Sequence, residues 1–498
     1  MNHSYEVLFP NVNNDLSNNT KNALRLLATR MRKSRPETAA VSPTHQGTAL
    51  PNNNHNMRGV PSLFGMKEWL RILGHSESDV SDINVIHVAG TKGKGSTCAF
   101  TRSFLHAHGQ RTGFPKRIGL YTSPHLQCVR ERIQIDNQPI SEDLFTQYFF
   151  EVWEGLASLG LGQDVETTKQ PRYRQCLALL AFHVFIRENV DAAIFETHHG
   201  GEYDVTNVIQ RPTVTGITSL GMDHVRQLGP TLKNIAWHKA GIFKAEAPAF
   251  SVPQEAGLME VLCDRAAEKK TTLTIVPPDN CLSADIGVLS IPVQRLNSSL
   301  ALALASMFLQ LKAPGHAMSS EDIDRGIDNF SWAGRFEIIE EGTSQWFVDG
   351  AHNDMSLKQA AQWFSNNINV LNPRRCCVLI FSHLSKERDG VSLMKCLAHA
   401  LLEYNIMSSS PQTRWEWMSP REQANKTVTV PTTPLRDLCA TYCLSWQDFD
   451  NQANVFSEPT IEGALNLAKR LSAQEGGIQA FVTGSLQLVG GALTLLRP

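Results

Sequence analysis

Apolar residues along the chain gather in short unbroken runs that end in glycines, hydroxyl side chains or acids. "NVIHVAG" (Asn84 to Gly90), "VDAAIFET" (Val190 to Thr197) and "TVTGITSLG" (Thr213 to Gly221) have this form. Each reads as a buried strand entering a loop. "YTSPHL" (Tyr121 to Leu126) closes a further candidate strand. Stretches with helical periodicity lie between them, such as Gln175 to Glu188. Alternation of strand, loop and helix predicts an α/β fold with a parallel sheet, and in such sheets ligands bind at the carboxyl ends of the strands.

A second α/β pattern begins near Phe330. It holds "WFVDGAH" (Trp346 to His352), "CCVLIFSHL" (Cys376 to Leu384) and "QAFVTGSLQLVGG" (Gln479 to Gly491). The polar stretch 408–434 within it reads as a surface insertion. Residues 1–58, rich in Asn, Ser, Thr and Pro, read as a loose tail with one helix at Asn22 to Lys33. The expected organisation is therefore a tail over 1–58, a first domain over 59–328 and a second over 329–498.

Composition narrows the function classes. With 498 residues the chain is long enough for more than one core. It is 42% hydrophobic and 19% charged, with a net charge of −2, so no global basic field exists for nucleic acid or an anionic membrane. Any anion site must be local. Ten scattered cysteines without a Cys-x-x-Cys pair read as reduced, buried thiols rather than a disulfide framework. The apolar run Leu300 to Leu311 is too short to span a bilayer. Lys21 to Arg35 is basic, but Glu6, Asp15 and the Asn-rich start argue against a transit peptide. A cytoplasmic location is expected, with mitochondria as the runner-up.

The sharpest local signal is "VIHVAGTKGKGST". An apolar strand runs into Gly90-Thr91-Lys92-Gly93-Lys94-Gly95-Ser96, and a helix-compatible run follows. Glycines let backbone N–H groups close round phosphate oxygens, and the helix N-terminus adds its positive dipole. Lys94 is placed to reach outer phosphates, and Ser96 or Thr97 to touch phosphate or Mg²⁺. The spacing departs from the usual phosphate-loop pattern, because Gly95 separates Lys94 from Ser96. Such a loop needs a metal held by oxygen ligands near a carboxylate at a strand end. Glu196 ends "AAIF" and suits that role; Asp223 and His224, and Ser123 and His125, end neighbouring strands.

These segments together resemble the folylpolyglutamate synthases, relatives of the muramyl-peptide ligases. "HVAGTKGKGSTCAF", "YTSPHLQCVRERIQIDNQPIS", "GGEYDVTNVI", "ITSLGMDH", "LGPTLKNIAWHKAGIFK", "WAGRFEII", "DGAHN" and "VTGSLQLVGGAL" follow the family's motifs in the family's order, from about Met66 to the C-terminus. The resemblance implies a phosphate-loop ATPase domain followed by a smaller Rossmann-like α/β domain. It implies an ATP- and Mg²⁺-dependent ligase, with K⁺ as a further candidate ion. The γ-carboxyl of a reduced folate's glutamate tail would be phosphorylated by ATP, and the amine of L-glutamate would then displace phosphate. By this resemblance Gly93, Lys94, Gly95 and Ser96 cradle the ATP phosphates, and Ser123, Glu196 and His224 hold Mg²⁺. Lys239 of "HKAG" is a candidate for carbamylation. Arg335 and Asp349 supply ATP contacts from the second domain, which would require the two domains to close. His352 and Ser485 are glutamate-pocket candidates, and Lys94, Lys239 and His352 the expected catalytic side chains. The family habit is a monomer without nucleic-acid or membrane partners.

Two places depart from the family pattern. Where members read Glu-Val-Gly-Ile-Gly-Gly, this chain has Glu196-Thr197-His198-His199-Gly200-Gly201. Where members carry Gly-x-His-Gln before a helix, it has "SIPVQRLNSSLALA" (Ser290 to Ala303), with Val293 in place of His and with Gln294 and Asn297 kept. Adjacent histidines without a third ligand at metal spacing do not read as a zinc site. Three readings stay open, in this order: a working synthase, a ligase with a changed acid or amine, and a nucleotide-binding protein without catalysis.

Overall fold

The computed structural model describes residues 16–31, 62–157, 170–280, 282, 287–368, 376–383, 389–404, 415–418, 441–442, 444–450 and 453–497. They form two compact units, one from 16–125 and 129–331, the other from 126–128 and 332–497.

The first unit is built on an eight-stranded sheet of order β4-β3-β2-β5-β1-β6-β7-β8. Its centre is β1 (Val85–Ala89), between β5 (Ala192–Glu196) and β6 (Val214–Ile217), all parallel. On one side β2 (Ile118–Tyr121) pairs parallel with β5, then β3 (Ile133–Ile135) and β4 (Gln138–Pro139) turn antiparallel. On the other side β7 (Ala249–Ser251) and β8 (Leu273–Ile275) continue in parallel. Every residue of β1, β2, β5, β6 and β7 is buried, which is why these segments read as solid apolar runs rather than alternating ones.

Helix α1 (Asn18–Thr29) lies within the expected tail and starts earlier than 22. Ser17 sets its start by accepting from the Thr20 N–H at 3.1 Å. Thr20, Ala23, Leu24, Leu27 and Ala28 form its buried stripe. That stripe packs on α3 (Glu142–Ala157), where the Thr20 and Thr146 hydroxyls meet at 2.7 Å. The segment is therefore a packed helix, since a short apolar stripe at helical spacing outweighs its polar surroundings. The rest of the tail lies outside the described residues, apart from 30–31.

Helix α2 (Lys94–Thr112) follows β1 directly. Helix α6 (Pro292–Lys312) packs along α2 and against β6, where a side chain at Gly216 would meet Leu304. The expected helix at Gln175 is α4 (Tyr173–Arg187), buried along most of its length.

The second unit holds a six-stranded sheet of order β13-β12-β11-β14-β10-β9. Here β10 (Ser344–Val348), β14 (Ile478–Thr483), β11 (Cys376–Phe381), β12 (Trp415–Met418) and β13 (Asn454–Phe456) are parallel, and β9 (Glu337–Glu341) is an antiparallel edge. Residues 415–418, expected inside a surface insertion, are thus an inner strand of the sheet. The remainder of 408–434 lies outside the described residues. Of the cysteines, Cys98, Cys176, Cys376 and Cys377 are buried as expected, but Cys263 is exposed.

Candidate active site

Gly93 caps α2 from the left-handed region, φ +88°, and no side chain caps the helix. A Cβ at Gly93 would overlap the Asn297 Oδ1 of α6, so both backbone conformation and space demand glycine. Upstream, the Thr91 and Lys92 N–H groups donate to the Ser219 carbonyl, at 2.9 and 3.2 Å. The loop is therefore tied to the end of β6, and the uncapped first turn, Lys94 to Ser96, is left to present its N–H groups and dipole to an anion.

Lysines converge on this loop. Lys94 Nζ donates to the Gly90 carbonyl at 3.1 Å and lies 3.9 Å from Glu196 Oε1. Lys239, at the end of α5 (Leu232–Lys239), is 3% exposed and donates to the same carbonyl at 2.5 Å. Lys92 pairs with Asp223 at 3.4 Å. Burial holds the Lys239 amine well below the ordinary lysine range, and the charge of Lys94 lowers it further.

Glu196 stands at the carboxyl end of β5, 4% exposed. Its Oε2 accepts from the Thr122 hydroxyl and from the Ser123 N–H at 3.1 Å. Ser123 and Glu196 are thus brought together, and Thr122, which the motif reading passed over, is the side chain that orients the carboxylate. Among the described residues no three His, Cys, Asp or Glu side chains form a metal-binding group. A buried carboxylate beside the Thr122 hydroxyl offers oxygen donors of the kind a hard divalent cation prefers.

The loop after Glu196 is fixed from below. Asp204, 1% exposed, accepts from the N–H groups of His198 and His199 at 3.0 and 2.8 Å, and from Thr206 N–H and hydroxyl at 3.0 and 2.8 Å. Gly201 is forced by close approach: a Cβ there would lie 2.6 Å from the carbonyl oxygens of both His238 and Lys239. Asp204 thus anchors the segment that carries Glu196; its place in "GGEYDVTN" was visible in the sequence, its four bonds were not.

His198 is buried, its Nε2 at 2.9 Å from the Tyr121 hydroxyl. His199 packs edge-on against His224, ring centroids 4.1 Å apart. Burial first, and then the charge of Arg174, hold both imidazoles well below the ordinary histidine range. His224 itself sits at φ +51° and begins the helix Val225–Leu228. Its contact in this structure is therefore with an anomalous histidine.

In the second unit, four expected residues gather at the carboxyl ends of β10 and β14. Asp349, 3% exposed, accepts from the N–H groups of Phe336 and Ala351, both at 2.9 Å. Burial pushes its carboxyl up to about 6 despite Arg335 and these two donors. Arg335 Nη1 donates to the Gly334 carbonyl at 2.9 Å, and His352 Nδ1 lies 2.8 Å from the Gly350 carbonyl. The Ser485 hydroxyl accepts from Leu488 N–H at 3.1 Å, capping the helix Leu486–Leu496. That cap supplies a structural reason for a serine there, beside any role in a pocket.

No protein-family profile matches the chain. Named relatives do. The folylpolyglutamate synthase of Neurospora crassa is 41% identical over 460 residues, covering 88% of this chain and 85% of the relative. That of Saccharomyces cerevisiae is 36% identical, covering 95% and 88%. Among solved structures, Mycobacterium tuberculosis folylpolyglutamate synthase complexed with ADP shares the fold, with a TM-score of 0.72 at 23% identity over 96% of this chain and 98% of that one. Escherichia coli FolC in complex with ADP, at a TM-score of 0.64 and 22% identity, shares it over 86% and 93%. With such identity over nearly the whole chain, it belongs to the folylpolyglutamate synthase family.

Proposed function

We propose that this chain is an ATP-dependent ligase that adds L-glutamate to the γ-carboxyl of a reduced folate or its polyglutamate. The observation that carries this reading is the uncapped α2 N-terminus, ringed by Lys94 and Lys239 and faced by the Glu196 carboxylate. A phosphate cradle beside a metal-binding carboxylate suits transfer of a γ-phosphoryl group. The folate γ-carboxylate attacks the γ-phosphorus, and the bond to the ADP oxygen breaks. The glutamate amine then attacks the acyl carbon, forming the amide as phosphate leaves with its bonding pair and the amine loses a proton. In this scheme the first-turn N–H groups and Lys94 neutralise the developing charge, and the loop holds the reactants in line.

Mg²⁺, assigned to Ser123, Glu196 and His224, would neutralise phosphate oxygens when bound. Burial lowers the Lys239 amine and so favours the uncharged form that adds carbon dioxide, which suits it to carbamylation. Arg335 and Asp349 are assigned to ATP, and His352 and Ser485 to glutamate, by resemblance to family motifs. A monomer in the cytoplasm accompanies this reading; no helix among the described residues is long and apolar enough to cross a membrane.

A ligase acting on a different acid is the second reading, favoured by the His198-His199 pair beside Glu196. Incubation with ATP, Mg²⁺, a panel of folate and non-folate acids, and glutamate separates them. The proposal expects ADP and a product heavier by one glutamyl group with tetrahydrofolate. ADP release with only a non-folate acid would replace folate as the substrate, and no release with any acid would end the ligase reading.

A further inference from the structure

The parallel register of β2 and β5 ends with Tyr121 beside Phe195. Just past it the Thr122 N–H turns to the Arg132 carbonyl and the Thr197 N–H to that of Val88, both at 3.0 Å. Ser123 and Glu196, both assigned to Mg²⁺, lie on these two segments, so side chains must set their spacing. The Thr122 hydroxyl and the Ser123 N–H do so through Glu196 Oε2 itself. A cation that takes this oxygen competes with them. A further tie leaves the carboxylate untouched: the Tyr121 hydroxyl stands 2.9 Å from His198 Nε2, with the rings edge-on at 88° and both residues buried.

His198 is itself fixed by Asp204. Its N–H donates to Asp204 Oδ2 at 3.0 Å, and its Nδ1 lies 3.9 Å from Oδ1. The carboxylate draws the ring proton to Nδ1, so Nε2 accepts from the Tyr121 hydroxyl. Asp204 also accepts from the Thr206 hydroxyl, which lies 2.8 Å from His87 Nε2 in the central strand β1. Bonds therefore run without a break from the middle of the sheet, through Asp204 and His198, to Tyr121. Glycine, the residue of the family pattern at 198, offers no ring to carry them. We propose that His198 is a positioning residue, which through Tyr121 holds the Ser123 and Glu196 segments at the spacing that the divalent cation requires. The inference rests on the assignment of Mg²⁺ to Ser123 and Glu196 above.

The test uses the full chain with AMPPCP bound and Mn²⁺ as the probe, the free ion being read by electron paramagnetic resonance. His198→Gly should weaken Mn²⁺ binding by about 10-fold or more. Tyr121→Phe, which keeps the core filled, should weaken it to a similar extent. The double variant should be no worse than either single one, because all three lack the same bond. His198→Gln should restore most of the affinity, since its amide oxygen reaches the place of Nε2 and accepts from Tyr121. AMPPCP affinity in EDTA should stay as in wild type, whereas a general loosening of the fold would lower it as well. Unchanged Mn²⁺ binding in His198→Gly and Tyr121→Phe, or a parallel loss of metal-free AMPPCP affinity, would overturn the inference and leave the metal assignment standing. Wild type that binds no Mn²⁺, or Glu196→Ala that binds it as wild type does, would end the assignment and this inference together.

Discussion

Gly93 and Asn297 sit in contact across two helices, and their coupling can be measured. Gly93→Ala introduces two separable costs. Holding alanine at φ +88° costs about 1–2 kcal/mol. Its Cβ also overlaps Asn297 Oδ1, and overpacking of this kind costs about 1–3 kcal/mol. The sum, about 2–5 kcal/mol, exceeds what a loop can absorb without shifting its N–H groups away from the phosphates. At about 1.4 kcal/mol per tenfold, ATP affinity should fall by about 30-fold or more. Asn297→Ala removes only the second cost. By itself it deletes the Nδ2 donor to Gln294 Oε1 at 3.2 Å, worth about 1 kcal/mol. In the double variant the overlap disappears while the backbone strain remains, so the two changes should couple by about 1–3 kcal/mol. Calorimetric titration of the non-hydrolysable ATP analogue AMPPCP into the four proteins gives the cycle directly. Additivity within about 0.5 kcal/mol would refute the claim that Asn297 packs against the phosphate loop.

Glu196→Ala should lower ADP release by about 100-fold or more, since the carboxylate is assigned to Mg²⁺ at the transferred phosphate; full activity would contradict that role. Lys239 binds fewer protons folded than unfolded at pH values below its ordinary 10.5, so its contribution to stability rises with pH. In carbon dioxide-free buffer, urea midpoints of wild type should therefore gain on Lys239→Met between pH 7 and pH 9, and a loss over that range would be inconsistent with a buried, deprotonating amine. Asp349 has the opposite sense: its carboxyl, raised to about 6 from 3.8, holds a proton that the unfolded chain releases. Wild type should lose about 2 kcal/mol relative to Asp349→Asn between pH 4 and pH 7, read from tryptophan fluorescence in urea; equal pH slopes would argue against a dehydrated carboxyl. Asp204→Ala strips acceptors from four buried donors and should destabilise the fold by about 2–4 kcal/mol, with turnover falling alongside the thermal midpoint.

What the sequence determined by itself was local and ordered. Solid apolar runs at 85–89, 192–196 and 214–217 required buried parallel strands, and glycines, lysines and hydroxyls at 90–96 required an anion-binding loop at the end of one of them. The order of motifs carried the family and its ligase chemistry. Tertiary structure decided what periodicity cannot encode. The pairing of β1 with β5 and β6 brings Gly90 to the same end of the sheet as Glu196 and the 218–224 loop, which lie more than a hundred residues further along the chain. That juxtaposition puts two lysines on one carbonyl and Thr122 on Glu196. It also explains one local misreading and one shifted boundary. The polar neighbourhood of 415–418 suggests surface, yet sheet pairing makes it an inner strand. The helix expected within the tail forms at Asn18–Thr29, four residues earlier than read, and α3 supplies the surface that buries its stripe. The clearest case is His198-His199: identical neighbours in sequence, but a loop turning under Asp204 gives one to Tyr121 and the other to Arg174 and His224. Chemistry between distant side chains depends on distance and burial, and only the folded chain fixes either.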